Sequence, residues 1–158
     1  MFFDALRKES TTAKVRQFTV RFAIGLFLFS AVMKLAFLQF KSDALYKPDP
    51  LFSILSVKQL LLLSVSAEIG AVSVLLTPAV SATRKMTLLF LLGTVFVGYK
   101  ISLYGNGYNL TCNCLGQGMF ANENVRSALD MISTLACLVL LVGSGYVLKQ
   151  GQNSGLQD

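Results

Sequence analysis

Two cysteines separated by one residue form the most reactive motif of the chain, Cys112-Asn113-Cys114. A disulfide between them would need Cα atoms near the far end of the permitted separations, so the bond would be strained and easily reduced. Such a bond passes on its oxidising equivalents when a partner thiolate attacks it, whereas a structural disulfide gains little from closing so short a loop. The spacing favours thiol–disulfide exchange, with Cys112 and Cys114 as the candidate catalytic residues.

Other roles for this pair stay open. The two thiols could be unpaired or bonded within a larger complex, which would make them structural, or they could hold a soft cuprous ion. The chain has no His, and Met119 is the one candidate for a third ligand, so we expect no metal. Cys137 lies about 15 Å from the loop at 1.5 Å per helical residue, and we expect it to be a small apolar filler.

Three ionisable residues, Lys34, Glu68 and Lys100, lie inside long apolar segments, where a charge is costly and normally faces a partner. Glu68 is about ten residues from either end of its segment and has a short side chain, so it needs a cationic partner. Either lysine could supply one by pointing inward, and Lys100 would then also stabilise a thiolate of the cysteine pair. The alternative is that each lysine extends to the membrane surface. We expect the three residues to support the cysteine site or a quinone headgroup.

For two further acidic residues, Asp130 and Asp49, we predict simpler surroundings. Asp130 is spaced i,i+4 from Arg126, so an ion pair along one helix is the plainer prediction, although Asp130 could also join the buried cluster. Asp49 lies in a polar connection, and we expect it to be solvated. Removing Glu68 should therefore destabilise the protein more than removing Asp49.

The elements that must position these residues are membrane helices. Of the 158 residues, 54% are hydrophobic and only 14% are charged, which is more apolar than usual for a soluble protein. Four apolar segments are each near the roughly twenty residues that cross a hydrocarbon core about 30 Å thick. They lack the alternation of barrel strands, and backbone groups in lipid must bond internally, so helices are predicted. The segments are Phe18–Leu38, Leu60–Val80, Thr87–Tyr104 and Ser127–Leu148.

The predicted fold is all-α, an integral membrane four-helix bundle of residues 18–148. A cytoplasmic arm of residues 1–17 precedes the bundle, and a cytoplasmic tail of residues 149–158 follows it. No convincing cleavage site follows the first segment, which we therefore expect to be an uncleaved span. The short connection Ser81–Lys85 predicts that the second and third helices are antiparallel neighbours.

Lysine and arginine are distributed unevenly between the two ends of this bundle. Eight lie on the side of the termini and four on the other, and residues 105–125 contain none. Both termini should therefore be cytoplasmic, and the cysteine pair should face an oxidising compartment. The net charge of +6 comes from residues at the ends of apolar runs, so it indicates topology and not nucleic acid binding.

Several motifs occur in an order found in one family of small membrane proteins. They are Gly25-Leu26 and Lys34-Leu35 in the first segment, Ala67-Glu68-Ile69-Gly70 in the second, Lys100 in the third, and Cys112-Asn113-Cys114-Leu115-Gly116 after it. In these features the chain resembles the MauE/DoxX-like family from residue 16 to residue 149.

The resemblance implies a four-helix bundle similar to the vitamin K epoxide reductase fold and a redox-associated role in the periplasm. Members of the family are associated with disulfide handling during maturation of methylamine dehydrogenase, or with quinone-linked sulfur oxidation. This chain has Asn113 where the family often has Gly or Pro, and it lacks a second Cys-x-x-Cys pair in the membrane. Electrons from Cys112 and Cys114 would then pass directly to a quinone or to another protein.

The sequence thus predicts a component of a thiol–disulfide oxidoreductase system in the bacterial inner membrane, linked to a quinone or to maturation of a periplasmic partner. The expected partners are the lipid bilayer and either a periplasmic thiol protein or a larger membrane complex. The alternative is a non-catalytic structural or assembly subunit of such a complex.

Overall fold

The computed structural model describes residues 2–39, 43–49, 51–106 and 123–153. Within these ranges the chain forms four long α-helices and one short 3-10 helix at Asp43–Tyr46. The long helices are α1 (Phe2–Gln39), α2 (Val57–Leu76), α3 (Ala82–Gly105) and α4 (Glu123–Asn153). Each contains a stretch long and apolar enough to cross a membrane: Ala13–Gln39, Val57–Leu76, Ala82–Gly105 and Ser127–Gln150. The predicted all-α class with four membrane helices is confirmed.

The first helix is longer than the predicted segment. It begins at Phe2, so the stretch predicted as a separate arm is helical and continuous with the first span. Residues 2–24 contain neither Gly nor Pro, the two residue types that most oppose a helix, and nothing local ends the helix before the apolar run begins.

The second helix is displaced from its predicted bounds at both ends. It begins after Ser56, whose Oγ accepts a hydrogen bond from the Gln59 backbone N–H (3.3 Å), while the Gln59 side chain accepts one from the Ser56 N–H (2.9 Å). This reciprocal cap satisfies two backbone donors and fixes the start of the helix. The helix ends at Leu76 and not at Val80, because Pro78 disfavours helical geometry in Thr77, which is extended.

The helices pack in an order that differs from their order along the chain. The most extensive contacts join α3 to α4, α1 to α2, and α1 to α4. α2 and α3 contact each other less, although Lys85 Nζ donates a hydrogen bond to the Leu75 carbonyl (2.9 Å) beside their short connection. The prediction that these two helices are neighbours therefore holds only in part, since the buried Glu68 of α2 is bound from α1 and the buried Lys100 of α3 is bound from α4.

Buried side chains form a polar layer between two apolar ones. Nearer the chain termini lies an apolar cluster of Ala23, Phe27, Ala71, Val72, Leu75, Met86, Leu89, Leu140 and Val147. Nearer the opposite end lies a smaller one of Phe37, Leu45 and Leu61. The polar layer between them contains Ser30, Lys34, Glu68, Lys100 and Ser133. The ionisable residues are therefore held at one depth, with apolar packing on both sides.

Asp49 organises the connection between α1 and α2. Its carboxylate accepts hydrogen bonds from the backbone N–H groups of Leu51 (2.9 Å) and Phe52 (3.0 Å) and from the Tyr99 hydroxyl (2.8 Å). The Phe52 ring also stacks on the Tyr99 ring, with centroids 6.3 Å apart. Asp49 is only 4% exposed, so the expectation of a solvated carboxylate is wrong. Backbone and phenol donors have replaced water around it.

Candidate functional site

One of the two carboxylate oxygens of Glu68 accepts hydrogen bonds from side chains of α1. Its Oε1 accepts hydrogen bonds from Lys34 Nζ at 2.5 Å and from Ser30 Oγ at 2.9 Å. Lys34 Nζ also donates to Ser64 Oγ on α2 at 2.7 Å. The Lys34 and Glu68 side chains are only 1% and 3% exposed, so Lys34 does not extend to the membrane surface. Of the two lysines predicted as partners for Glu68, the structure pairs it with Lys34.

Helical periodicity explains why these four polar residues meet. Ser30 and Lys34 are four residues apart on α1, and Ser64 and Glu68 are four residues apart on α2, so each pair lies on one helix face. When these faces pack together, each helix supplies one hydroxyl and one charge. Lys34 Nζ additionally lies 5.7 Å from the centroid of the Phe96 ring of α3, a distance at which an aromatic face attracts a cation.

Lys100 is bound by α4 and not by Glu68. Its Nζ donates to Asp130 Oδ1 (2.8 Å), Ser133 Oγ (2.6 Å) and Thr134 Oγ1 (2.7 Å), and it lies 3.1 Å from the Asp130 carbonyl oxygen. Asp130 Oδ2 also accepts a hydrogen bond from the Tyr104 hydroxyl at 3.2 Å. Asp130 has thus joined the buried layer, which was the second of its two expected roles. The expected contact of Asp130 with the Arg126 side chain lies outside the described residues.

A cavity of about 30 Å³ lies between the Lys34–Glu68 pair and Lys100. It is lined by Leu26, Phe27, Ser30, Lys34, Glu68, Phe96, Lys100, Ser133 and Cys137. Lys34, Glu68 and Lys100 therefore share one cavity although they form two separate pairs. Cys137 is a half-buried free thiol that borders this cavity, and its expected role as a small apolar filler stays a prediction.

Sequence reasoning overlooked the hydroxyl groups of this layer, namely those of Ser30, Ser64, Ser133 and Thr134. Each is separated from a charged residue of its own helix by three or four positions, and this spacing is visible in the sequence. In a membrane segment, a hydroxyl at such a spacing from a charge is a candidate partner for whatever that charge binds. Ser133 and Thr134 follow Asp130 by three and four positions, so this face of α4 could have been predicted to bind a buried cation such as Lys100.

Cys112, Cys114 and Met119 lie outside the described residues, in the connection between α3 and α4. The structure does position the two helix ends that lead into this connection. Lys100 is in the last turns of α3 and Asp130 in the first turns of α4, so their ion pair joins the two helices close to the ends that lead into this connection. Among the described side chains, no group of three or more His, Cys, Asp or Glu could hold a metal ion.

Comparison with protein families agrees with this architecture. A family model described as methylamine utilisation protein MauE matches residues 12–148. The chain belongs to the MauE family. The match includes three of the four membrane spans completely and nearly all of the fourth. Lys34, Glu68, Lys100 and both loop cysteines of this MauE-family chain lie within it.

Comparison with curated proteins and with solved structures gave no match. The broader likeness to DoxX-like proteins therefore stays a prediction. Four membrane-spanning helices and the family together make this a multi-pass membrane protein related to methylamine utilisation.

Proposed function

We propose that this MauE-family protein is a membrane component of thiol–disulfide exchange in which Cys112 and Cys114 are the exchanging pair. The observation that carries the proposal is the ion pair between Lys100 and Asp130, 2.8 Å apart, beside the connection that bears the motif. This largely buried pair joins α3 to α4 at this end, and we propose that it holds the two ends of the Cys-x-Cys connection at a fixed separation. A reactive cysteine pair needs rigid elements on both sides to hold its geometry, whereas a loop without a chemical role does not.

The proposed reaction is a balanced exchange between two protein thiol pairs. A thiolate of a periplasmic, thioredoxin-like partner attacks one sulfur of the Cys112–Cys114 disulfide, which gives a mixed disulfide and releases the other cysteine as a thiolate. The second partner thiol then displaces the first, so that the partner is oxidised and both loop cysteines become thiols. A second protein disulfide of higher reduction potential takes up these two electrons and restores the pair.

We propose a protein and not a quinone as the electron acceptor, and the small volume of the cavity beside Glu68 supports this choice. Its volume is about 30 Å³, whereas sites for small organic molecules and cofactors occupy about 300–1,000 Å³. Lys34, Glu68 and Lys100 therefore act in this proposal as positioning residues, which hold α1 to α2 and α3 to α4.

The proposal predicts that the Cys112–Cys114 disulfide is more oxidising than a structural one. Detergent-solubilised protein with Cys137→Ser should be equilibrated with glutathione buffers, and its free thiols counted by mass spectrometry. We expect a midpoint well above the roughly −300 mV below which structural disulfides of secreted proteins lie. Cys114→Ser, which has no pair, should in turn trap a mixed disulfide with the partner protein.

The same titration separates the role of Lys100 from a general effect on folding. Lys100→Met should lower the midpoint, because in this proposal the Lys100 charge stabilises the thiolates that form on reduction. Lys34→Met breaks a buried pair at similar depth between the other two helices, and it should leave the midpoint unchanged. A disulfide that resists glutathione, or that never forms, would instead favour the structural or assembly subunit of a larger membrane complex.

A further inference from the structure

Three basic side chains border one open groove on α1, at the end of the bundle where α1 begins and α4 ends. The groove has a volume of about 540 Å³, and we call it the basic groove; it is bordered by Ala13, Lys14, Arg16, Gln17, Val20 and Arg21. Lys14, Arg16 and Arg21 are all exposed, and residues 10–42 of the chain contain no Asp or Glu. The groove is therefore a local concentration of positive charge without acidic residues beside it in the helix.

The basic groove adjoins the side of α1 that faces lipid. Lys14, Arg21 and Leu28 follow one another at intervals of seven residues, about two helical turns, so they lie in one stripe along the helix. Leu28 is 48% exposed, and Val32, one turn further, is 62% exposed. In a membrane span such apolar side chains contact lipid tails. The two cations of this stripe therefore continue the lipid-facing surface toward the headgroups.

The length of the first span places these cations at the level of the headgroups. Ala13–Gln39 comprises 27 residues, about 40 Å at 1.5 Å per residue, whereas the hydrocarbon core is about 30 Å thick. The other end of the span is apolar through Leu38, so the excess of about 10 Å lies at the end that carries the groove. Lys14 and Arg16 lie in this excess, and the long side chain of Arg21 can extend to the same level.

The lining of the groove matches a phosphate ester that carries apolar chains. Guanidinium groups bind phosphate oxygens through two parallel hydrogen bonds, and an ammonium group binds them as a point charge. Ala13 and Val20 add apolar surface between these cations, as do the aliphatic parts of the long side chains. A free phosphate ion would use only the cations, whereas a phospholipid would use both kinds of surface.

We infer that the basic groove binds the headgroup of an anionic phospholipid from the leaflet on this side of the membrane. Charge complementarity identifies the class of lipid, because a zwitterionic headgroup already carries a cation that compensates its phosphate. Basic residues beside a membrane span are attracted to anionic lipids in this way, and the attraction grows with each Lys or Arg. A lipid bound here anchors this end of α1 to the leaflet.

Native mass spectrometry of the intact protein in detergent tests the site with two lipids that have identical chains. Dioleoylphosphatidylglycerol is anionic and dioleoylphosphatidylcholine is zwitterionic, so the first should be retained as a one-to-one adduct at concentrations at which the second is not. The double variant Lys14→Gln, Arg21→Gln should weaken binding of the anionic lipid about 25-fold, or about fivefold for each cation. The matched double variant Arg84→Gln, Lys149→Gln removes the same charge from exposed positions at the same end of the bundle, and it should leave binding nearly unchanged.

Three outcomes would overturn the inference. Equal retention of the two lipids would exclude recognition of the headgroup charge, and equal weakening by both double variants would show a general effect of surface charge. Inorganic phosphate at millimolar concentration should not displace the anionic lipid, and displacement would show that the groove binds free phosphate instead. The four substituted side chains are exposed, so both double variants should melt at the temperature of the unmodified protein. The comparison of the two lipids on the unmodified protein decides the matter even if a variant does not fold.

Discussion

At the scale of single residues, the polar layer shows how a membrane protein retains charges that cost free energy to bury. Lys34 and Glu68 neutralise each other, and the hydroxyls of Ser30 and Ser64 supply further hydrogen bonds. A buried pair contributes little compared with apolar residues of the same volume, but breaking it by removing one partner is strongly destabilising. The energetic importance of the pair therefore appears when only one of its members is removed.

We expect Lys34→Met to lower the free energy of unfolding by about 3–5 kcal/mol, because it strands the Glu68 charge. The double variant Lys34→Met, Glu68→Leu should recover most of this loss, since no uncompensated charge remains. The exposed Arg84 provides the control, and Arg84→Gln should have little effect. Denaturant unfolding in detergent micelles measures all three variants. A cost for Lys34→Met no greater than that of Arg84→Gln would contradict a buried pair.

Asp49 is unsuitable as the surface control that the sequence suggested. Its carboxylate is buried and accepts three hydrogen bonds, one of them from Tyr99 of α3. Asp49→Ala would leave two backbone donors and a phenol without their acceptor, so it should be destabilising for a reason unrelated to Glu68.

At the scale of helices, glycine determines how closely α4 approaches its neighbours. A Cβ added to Gly93 of α3 would lie 3.0 Å from Leu141 Cγ, and one added to Gly143 of α4 would lie 2.9 Å from Thr19 Oγ1. A Cβ added to Gly70 or Gly98 would meet nothing within 4 Å. Small residues drive helix association in lipid only where they face another helix, so these glycines differ in role although they look alike in sequence.

We expect Gly93→Leu to destabilise the contact between α3 and α4 by about 1–3 kcal/mol, which is the usual cost of overpacking. Gly98→Leu on the same helix is the matched control and should be neutral or slightly stabilising, because leucine has the higher helix propensity. Thermal unfolding in detergent compares the two variants. Equal losses would mean that glycine is required at both positions for the helix itself and not for packing.

At the scale of the whole molecule, the four spans of the described residues place the start of α1 and the end of α4 on the same side of the membrane. The distribution of lysine and arginine predicts that this side is the cytoplasm, with eight basic residues there and four on the other side. The orientation matters for the proposed function, because disulfides form and persist in an oxidising compartment, whereas cytosolic thiols are mostly kept reduced.

Thiol labelling of intact cells tests the orientation. After mild reduction, a membrane-impermeant maleimide should modify a Cys137→Ser variant through Cys112 or Cys114. The variant that retains only Cys137 should not react, because that thiol lies within the bundle. Modification of the loop cysteines that occurs only after cell lysis would reverse the topology and contradict the proposed exchange with a periplasmic partner.

The sequence by itself determined the features that depend on local composition. Four apolar stretches of sufficient length dictate four helices, because backbone groups in lipid must bond within each segment. The need of Glu68 for a partner follows equally from its position in its span. What the sequence could not decide was which residues meet. Lys34 and Lys100 were equivalent candidates for Glu68, and only the tertiary structure assigned Lys34 to Glu68 and Lys100 to Asp130.

The physical reason is that these helices are apolar on most sides, since lipid and protein interior favour similar residues. Periodicity therefore does not reveal which face of α2 turns toward α1 and which toward α3. That rotation is decided by the packing of all four helices together, as is the depth at which Asp49 meets Tyr99. The cavity beside Glu68 is likewise a property of four packed surfaces, and no single segment of the sequence encodes it.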